Sequence, residues 1–144
     1  MDAFDADALI YAAVPDHPLG QRVAALIQQA GPGTIAGVGS VLLLPEVLSK
    51  PLRDGTADEI RSLAGLLARL DLRPVDRATA ELATALASRY KLRAADAIHL
   101  ATAVGLGADR FITNNRRDFG PHITELDVTY PDALPSPALT QPGA

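Results

Sequence analysis

The chain has 144 residues, of which 48% are apolar and 21% charged, with a formal net charge of −4. That size and balance fit one soluble globular domain with a proper core and exclude a disordered chain. Cysteine is absent, which excludes disulfides, thiolate metal ligands and cysteine nucleophiles. No apolar run approaches the roughly 20 residues of a membrane span, and no signal-peptide pattern opens the chain, so a cytoplasmic protein with no membrane partner is expected. The negative balance argues against a generic nucleic-acid binder, because such binding rests on phosphate neutralisation by Lys and Arg. It leaves room for an enzyme that meets phosphate through a metal held by acids.

The opening run Ala3-Phe4-Asp5-Ala6-Asp7-Ala8-Leu9-Ile10-Tyr11 reads as a buried first strand carrying carboxylates where a core wants hydrocarbon. In a strand, Asp5 and Asp7 share one side about 6–7 Å apart, a spacing that suits oxygen ligands converging on a cation. A helix is expected from about Pro18 to Ala30, with Leu19, Val23, Leu26, Ile27 and Ala30 on one face and Gly31 as its stop. Thr34 to Val38 is a strand candidate leading into Ser40. The run Val41 to Leu48 is read as a helix kinked at Pro45. Thr56 to Glu59 has the spacing of a capping box, ahead of Ile60, Leu63, Leu66, Leu67 and Leu70 at helical intervals. Leu70 to Val75 gives a short strand, and Asp76 can cap a helix reaching Tyr90. A last helix occupies Ala94 to Val104, closed by Gly105 and Gly107, and Arg110 to Thr113 forms the following strand.

Strands alternating with helices of this length indicate a parallel sheet covered on both faces. Residues 1–130 form the expected domain, and 131–144, rich in proline and small residues, the expected flexible tail. In such sheets ligands gather outside the carboxyl ends of strands. Asp5 and Asp7 lie late in the first strand, and Asn114 and Asn115 directly follow the last one, so both segments point to one edge.

Two further acids stand in apolar surroundings. Asp96 shares a helical stripe with Leu92, Leu100 and Ala103, where an acid that merely favours the helix dipole would not need to be. Glu46 is the only charge between Arg22 and Lys50. Asp118 is the sole acid of Thr113-Asn114-Asn115-Arg116-Arg117-Asp118-Phe119. His99 reads as a structural or partly exposed helix histidine, and His17 and His122 as loop residues. Lys50 and Lys91 are the only lysines; Arg89 to Arg93 and Arg116-Arg117 are basic clusters that either contact phosphate or solvate helix ends.

In order and spacing, four segments resemble a PIN-domain ribonuclease, and most closely the small toxin of VapBC toxin–antitoxin pairs. They are Phe4-Asp5-Ala6-Asp7-Ala8-Leu9-Ile10-Tyr11; Ser40 with Glu46 six residues on; Leu92 to Ala103 around Asp96; and Gly107 to Asn115. The likeness covers about residues 3–120 and implies a three-layer α/β/α fold with a central, mostly parallel sheet. It implies an acidic pocket that holds Mg²⁺, for which Mn²⁺ can substitute, and that cleaves RNA. Asp5, Glu46 and Asp96 then supply the acids, with Asp7 the neighbouring polar position, Ser40 a supporting residue and Thr113 the small hydroxyl position. The fourth family acid is replaced by Asn115, and Asp118 is the candidate substitute. Arg93, Arg116 and Arg117 are candidate RNA contacts. A small antitoxin and a second copy of the chain are the implied partners. Two other readings stand beside this one. One is a catalytically silent PIN-like module that binds RNA or protein. The other is a haloacid-dehalogenase-type phosphatase using Asp5 as nucleophile, although the Thr, late Asp pair and Lys of that pattern are not evident.

Overall fold

The computed structural model describes residues 1–137. Its central strand is β1 (Asp2–Phe4), flanked by β2 (Gly37–Ser40) and β4 (Arg110–Ile112). Outside these lie β3 (Leu70–Arg73) and β5 (Asp127–Thr129), giving the order β3-β2-β1-β4-β5 with every pair parallel. Asp2 pairs with Arg110 in the β1–β4 register, and the guanidinium grips the Asp2 carboxylate through two bonds of 2.8 and 2.9 Å. Opposite charges facing across a strand pair fix register as well as adding stability.

Among the described residues, six helices cover the sheet: α1 (Ala6–Ala12), α2 (Pro18–Gln28), α3 (Leu43–Asp54), α4 (Ala57–Leu67), α5 (Arg77–Tyr90) and α6 (Ala94–Gly105). The two-residue period of the strands sorts them into two cores. Ala3, Val38 and Phe111 point to α5 and α6, where they meet Ala83, Leu86, Ala97 and Leu100. Phe4 and Ile112, one residue on, point to the other layer and pack with Leu9, Val23, Ile27, Leu43, Val47 and Leu63. The three-layer α/β/α expectation holds, with a sheet that is parallel throughout.

Gly37 makes this packing possible at the strand centre. A methyl group there would lie 2.5 Å from the Asp2 carbonyl oxygen and 2.8 Å from the Phe4 ring. We expect Gly37→Ala to cost about 1–3 kcal/mol of stability, read as a lowered midpoint in urea unfolding; an unchanged midpoint would show that the strand pair relaxes freely.

Several sequence expectations shift. The opening run is not one strand: β1 ends at Phe4, and Asp5 caps a helix that contains Asp7. Of the strand expected over Thr34 to Val38, only Gly37 and Val38 fall in β2, which continues to Ser40. The helix expected over Val41 to Leu48 begins at Leu43 and continues to Asp54. Pro45 falls in its first turn, where an N–H has no intrahelical partner, so the proline does not break it. Thr56 precedes α4 as expected, but its hydroxyl turns to the Glu59 carboxylate at 3.3 Å and no side chain caps the helix. Asp76 does cap α5, accepting the Thr79 N–H at 2.8 Å. Strand β5 was not foreseen.

The segment expected to open a tail packs instead. A 3₁₀ turn at Pro131–Ala133 brings Leu134 into the α1–α4 core, and Arg22 of α2 donates to the carbonyls of Asp132 and Leu134 at 2.9 Å each. The remainder of the expected tail, 138–144, lies outside the described residues. No helix among the described residues is long and apolar enough to cross a membrane.

Candidate acidic site at the carboxyl edge of the sheet

Asp5 is the centre of the site. Its N–H continues the sheet by donating to the Ile112 carbonyl at 2.9 Å, and the chain then turns straight into α1. One carboxylate oxygen, Oδ1, accepts the Ala6 N–H at 2.9 Å; the other, Oδ2, accepts the Thr113 hydroxyl at 2.8 Å. The residue is 4% exposed, and no cation pairs with it among the described residues. Burial first, then the neighbouring Asp7 charge, with Asp96 adding a little, pushes its pKa up to about 7, against the pull of the Thr113 and Ala6 bonds.

Asp7 reaches the same place by another route. From the first turn of α1 it accepts the Asn114 N–H at 3.1 Å and lies 3.4 Å from the Thr113 hydroxyl. Its pKa is raised, chiefly by burial, with hydrogen bonds from Asn114, Ala8 and Thr113 opposing. Thr113 itself is fully buried, and its Oγ1 also accepts the Asn115 N–H at 3.1 Å. The residue after β4 therefore ties Asp5, Asp7 and the following loop into one cluster.

That loop makes a single turn, closed by the Phe119 N–H on the Asn115 carbonyl, and does not continue as a helix. Inside it, Asn115 Nδ2 donates to Asp118 Oδ2 at 2.9 Å while the Asp118 N–H donates to Asn115 Oδ1 at 3.2 Å. The amide that replaces the expected acid thus holds another acid in place. Tyr130 clamps the loop from outside, donating to the Phe119 carbonyl at 2.7 Å.

Asp96 lies in the first turn of α6. Its pKa is raised by burial first, then by the charges of Asp118 and Glu46, while His99 and Arg93 oppose. These couplings place Asp118 and Glu46 in the same electrostatic neighbourhood as Asp96. Glu46 sits in the first turn of α3, and its Oε2 is 3.0 Å from His99 Nε2. Ser40, buried at the end of β2, accepts the Leu42 N–H at 3.1 Å and so supports the turn that launches α3.

Hydrogen bonds thus link Asp5, Asp7, Thr113, Asn115 and Asp118 at this edge, and electrostatic coupling ties Asp96 to Asp5, Glu46 and Asp118. Of the three arginines, Arg93 is exposed at the start of α6 and Arg117 is exposed on the loop. Arg116 differs: it pairs with Asp132 and stacks over the Tyr130 ring at 4.0 Å from the centroid. His99, read as structural or partly exposed, is buried, with Nε2 3.0 Å from Glu46 Oε2; its place one helical turn after Asp96 gives no hint of that contact.

Among the described residues, no three carboxylate or imidazole side chains are gathered closely enough to enclose an ion by themselves. The donor set nevertheless fits a hard cation. It is built of carboxylate oxygens, and the buried Asp5 carboxyl has no counter-ion among the described residues. Mg²⁺ takes only one or two carboxylates directly and keeps several waters, so it needs no complete protein cage.

The PIN domain family model matches residues 3–120, and the chain belongs to that family, whose members are generally nucleases that use divalent metal ions. The family assignment leaves the phosphatase alternative without support. Among solved structures, a toxin–antitoxin complex from Klebsiella pneumoniae is similar at 26% identity and a TM-score of 0.70, covering 91% of this chain and 98% of that one. The VapBC2 structure from Rickettsia felis, bound to a DNA fragment from its promoter, shares the fold at 18% identity and a TM-score of 0.68, covering 90% and 97%. No curated protein sequence matches the chain.

Proposed function

We propose that this chain is a divalent-cation-dependent endoribonuclease, the toxin of a toxin–antitoxin pair of the VapBC kind, using Mg²⁺ or Mn²⁺. The observation that carries the reading is Asp5: a buried carboxylate without a counter-ion among the described residues, at the carboxyl end of the central strand, within the field of Asp7 and Asp96. A cation there would offset the repulsion among the acids, which reaches about 4 kcal/mol for two charges 4 Å apart at an effective dielectric of 20. Asp5 and Asp96 would hold it. When bound, it polarises the scissile phosphate and lowers the pKa of a water molecule.

The chain's own groups divide the remaining work. Thr113 fixes the orientation of Asp5 by donating to Oδ2, leaving Oδ1 on the Ala6 amide. Glu46, with its side chain one-third exposed, is the group that would orient the attacking water. Asp118, held by Asn115, would supply the charge that Asn115 lacks at the weaker second position. Arg93 and Arg117 are free to steer the RNA backbone, whereas Arg116 would have to leave Asp132 first.

The likeness to the Klebsiella pneumoniae complex supports an antitoxin as partner. Exposed apolar side chains agree with a protein surface that another chain covers: Leu44 and Leu52 of α3, with partly buried Leu48 between them, and Ile10 of α1 with Val14 just beyond it. A second copy is the other partner we propose for such a face.

RNA cleavage with and without Mn²⁺ tests the reading, with Asp96→Asn and Asp118→Ala beside the wild type. We expect metal-dependent cuts, lost at least about a hundredfold in Asp96→Asn, and a higher Mn²⁺ requirement in Asp118→Ala. An unchanged Mn²⁺ requirement would remove Asp118 from the site. A folded wild type that binds Mn²⁺ yet cuts no RNA would favour the silent module, which the Asn115 replacement keeps in view.

A further inference from the structure

His99 is 2% exposed on the inner side of α6, yet its hydrogen bonding is not that of a core histidine. Such residues satisfy both ring nitrogens within the core, because an unpaired polar atom there is costly. Here Nδ1 is the one buried side-chain nitrogen or oxygen among the described residues without a hydrogen-bond partner. The only polar contact of the ring is Nε2 on Glu46 Oε2, at 3.0 Å, across 53 residues of sequence. The ring's whole polar interaction is thus directed at an acid of the candidate site.

We infer that His99 is a positioning residue for Glu46: its Nε2–H donates to Oε2 and fixes how the remaining carboxylate oxygen faces the acidic edge. This deepens the nuclease reading and rests on Glu46 belonging to that site. The geometry gives the contact a definite direction. The carboxylate can only accept, so the proton must be on Nε2. Burial then holds the ring: the His99 side chain is 1% exposed against 32% for Glu46. The immobile partner orients the mobile one. Because Asp96 and His99 are one turn apart on α6, the same helix sets one acid directly and the other, on α3, through the imidazole. A Lys or Arg at this position would also grip Glu46, but it would place a fixed cation against a pocket whose acids must remain available to one. Orientation by a neighbouring hydrogen-bond partner is a common way of tuning an acidic centre, and its loss typically costs 10–100-fold in metal affinity or activity.

The test uses the full chain, His99→Leu, His99→Gln, Glu46→Ala and the double variant His99→Leu/Glu46→Ala. Mn²⁺ affinity by titration calorimetry and RNA cleavage are measured in parallel, and the His99 ring tautomer is read by nitrogen-15 NMR on the wild type. We expect the Nε2–H tautomer, a roughly tenfold or greater fall in kcat with unchanged KM for RNA in His99→Leu, partial recovery in His99→Gln, and no further loss when His99→Leu is added to Glu46→Ala. A proton on Nδ1 alone would overturn the inference without any variant having to fold. So would equal losses from His99→Leu with Glu46 present or absent. If the wild type binds Mn²⁺ but cuts no RNA, the calorimetric cycle still decides the role of His99 while the nuclease reading falls. If the wild type cuts RNA and His99→Leu is silent in both readouts, the nuclease stands and the positioning role falls.

Discussion

Asp5→Asn is expected to make the protein more stable at pH 8 and, under the proposed nuclease reading, to abolish metal-dependent cleavage of RNA. The two effects share one cause. The carboxylate is 4% exposed with no cation beside it among the described residues, so ionising it in the folded state is costly. The amide keeps the shape and removes the charge. Asn Oδ1 can still accept the Ala6 N–H, and its NH₂ can donate to Thr113 Oγ1, whose own proton is then free to turn to Asp7 Oδ1 at 3.4 Å. We expect a gain of roughly 1–4 kcal/mol, several degrees or more in Tm, with cleavage down at least about a hundredfold. Thermal melts and a cleavage assay on one preparation check both. A variant that loses stability as well as activity would mean that Asp5 is a structural residue whose charge the fold already compensates.

The second large effect is an interplay of pH and cation. Asp5 keeps its proton up to about pH 7 in the folded protein, against 3.8 as its ordinary value. Between those values the folded state holds more protons than the unfolded chain, so stability must fall as pH rises through the window. Asp7 and Asp96 are shifted the same way and add to the slope. The loss from Asp5 alone, complete above about pH 7, is on the order of 4 kcal/mol. Under the proposed nuclease reading, a divalent ion would bind the ionised acids of the folded site and reverse the trend. Without metal, Tm should decline from pH 5 to pH 8. With Mn²⁺ at about a hundred times its Kd, the gain at pH 8 should approach 2.7 kcal/mol, and at pH 5, where Asp5 is protonated, most of it should vanish. An equal gain at both pH values would separate the bound ion from Asp5, and no gain at all would count against the site.

The sequence made the acids legible and their geometry much less so. Asp5, Glu46 and Asp96 stand out because each interrupts an apolar stretch, and burial is the strongest constraint a sequence carries. Asp7 was placed on the right edge for the wrong reason. Alternating Asp and Ala suits a strand, but a capping Asp5 followed by Leu9 at helical spacing also suits a helix, and the three-residue β1 left the helix to prevail. The Asn115–Asp118 pairing has the i, i+3 spacing of a local side-chain bond, so it was within reach of sequence reasoning. The His99–Glu46 contact was not, since nothing local links residues 53 positions apart. Nor was the fate of Arg116, whose partner Asp132 lies where proline content argued for a tail and whose other partner, Tyr130, directly precedes it. The edge strand β5 escaped because Asp127-Val128-Thr129 is too short to show a period. In each case the missed feature depends on a partner remote in sequence or on an element too brief to leave a pattern.

The central strand is the first to be made, and it waits for its neighbour. β1 sits between β2 and β4, and the Asp5 carboxylate and the Thr113 hydroxyl that orients it are 108 residues apart. At ribosomal speeds of about 5–20 residues per second, roughly 5–20 s separate the synthesis of one from that of the other. Until β4 emerges, Asp5 has no sheet partner on that side and no hydroxyl to fix it, and the Asn115–Asp118 loop does not yet exist. A nascent or prematurely ended chain therefore lacks an assembled acidic edge. The acidic edge is completed late and all at once, so under the proposed nuclease reading a half-made copy would not yet be competent.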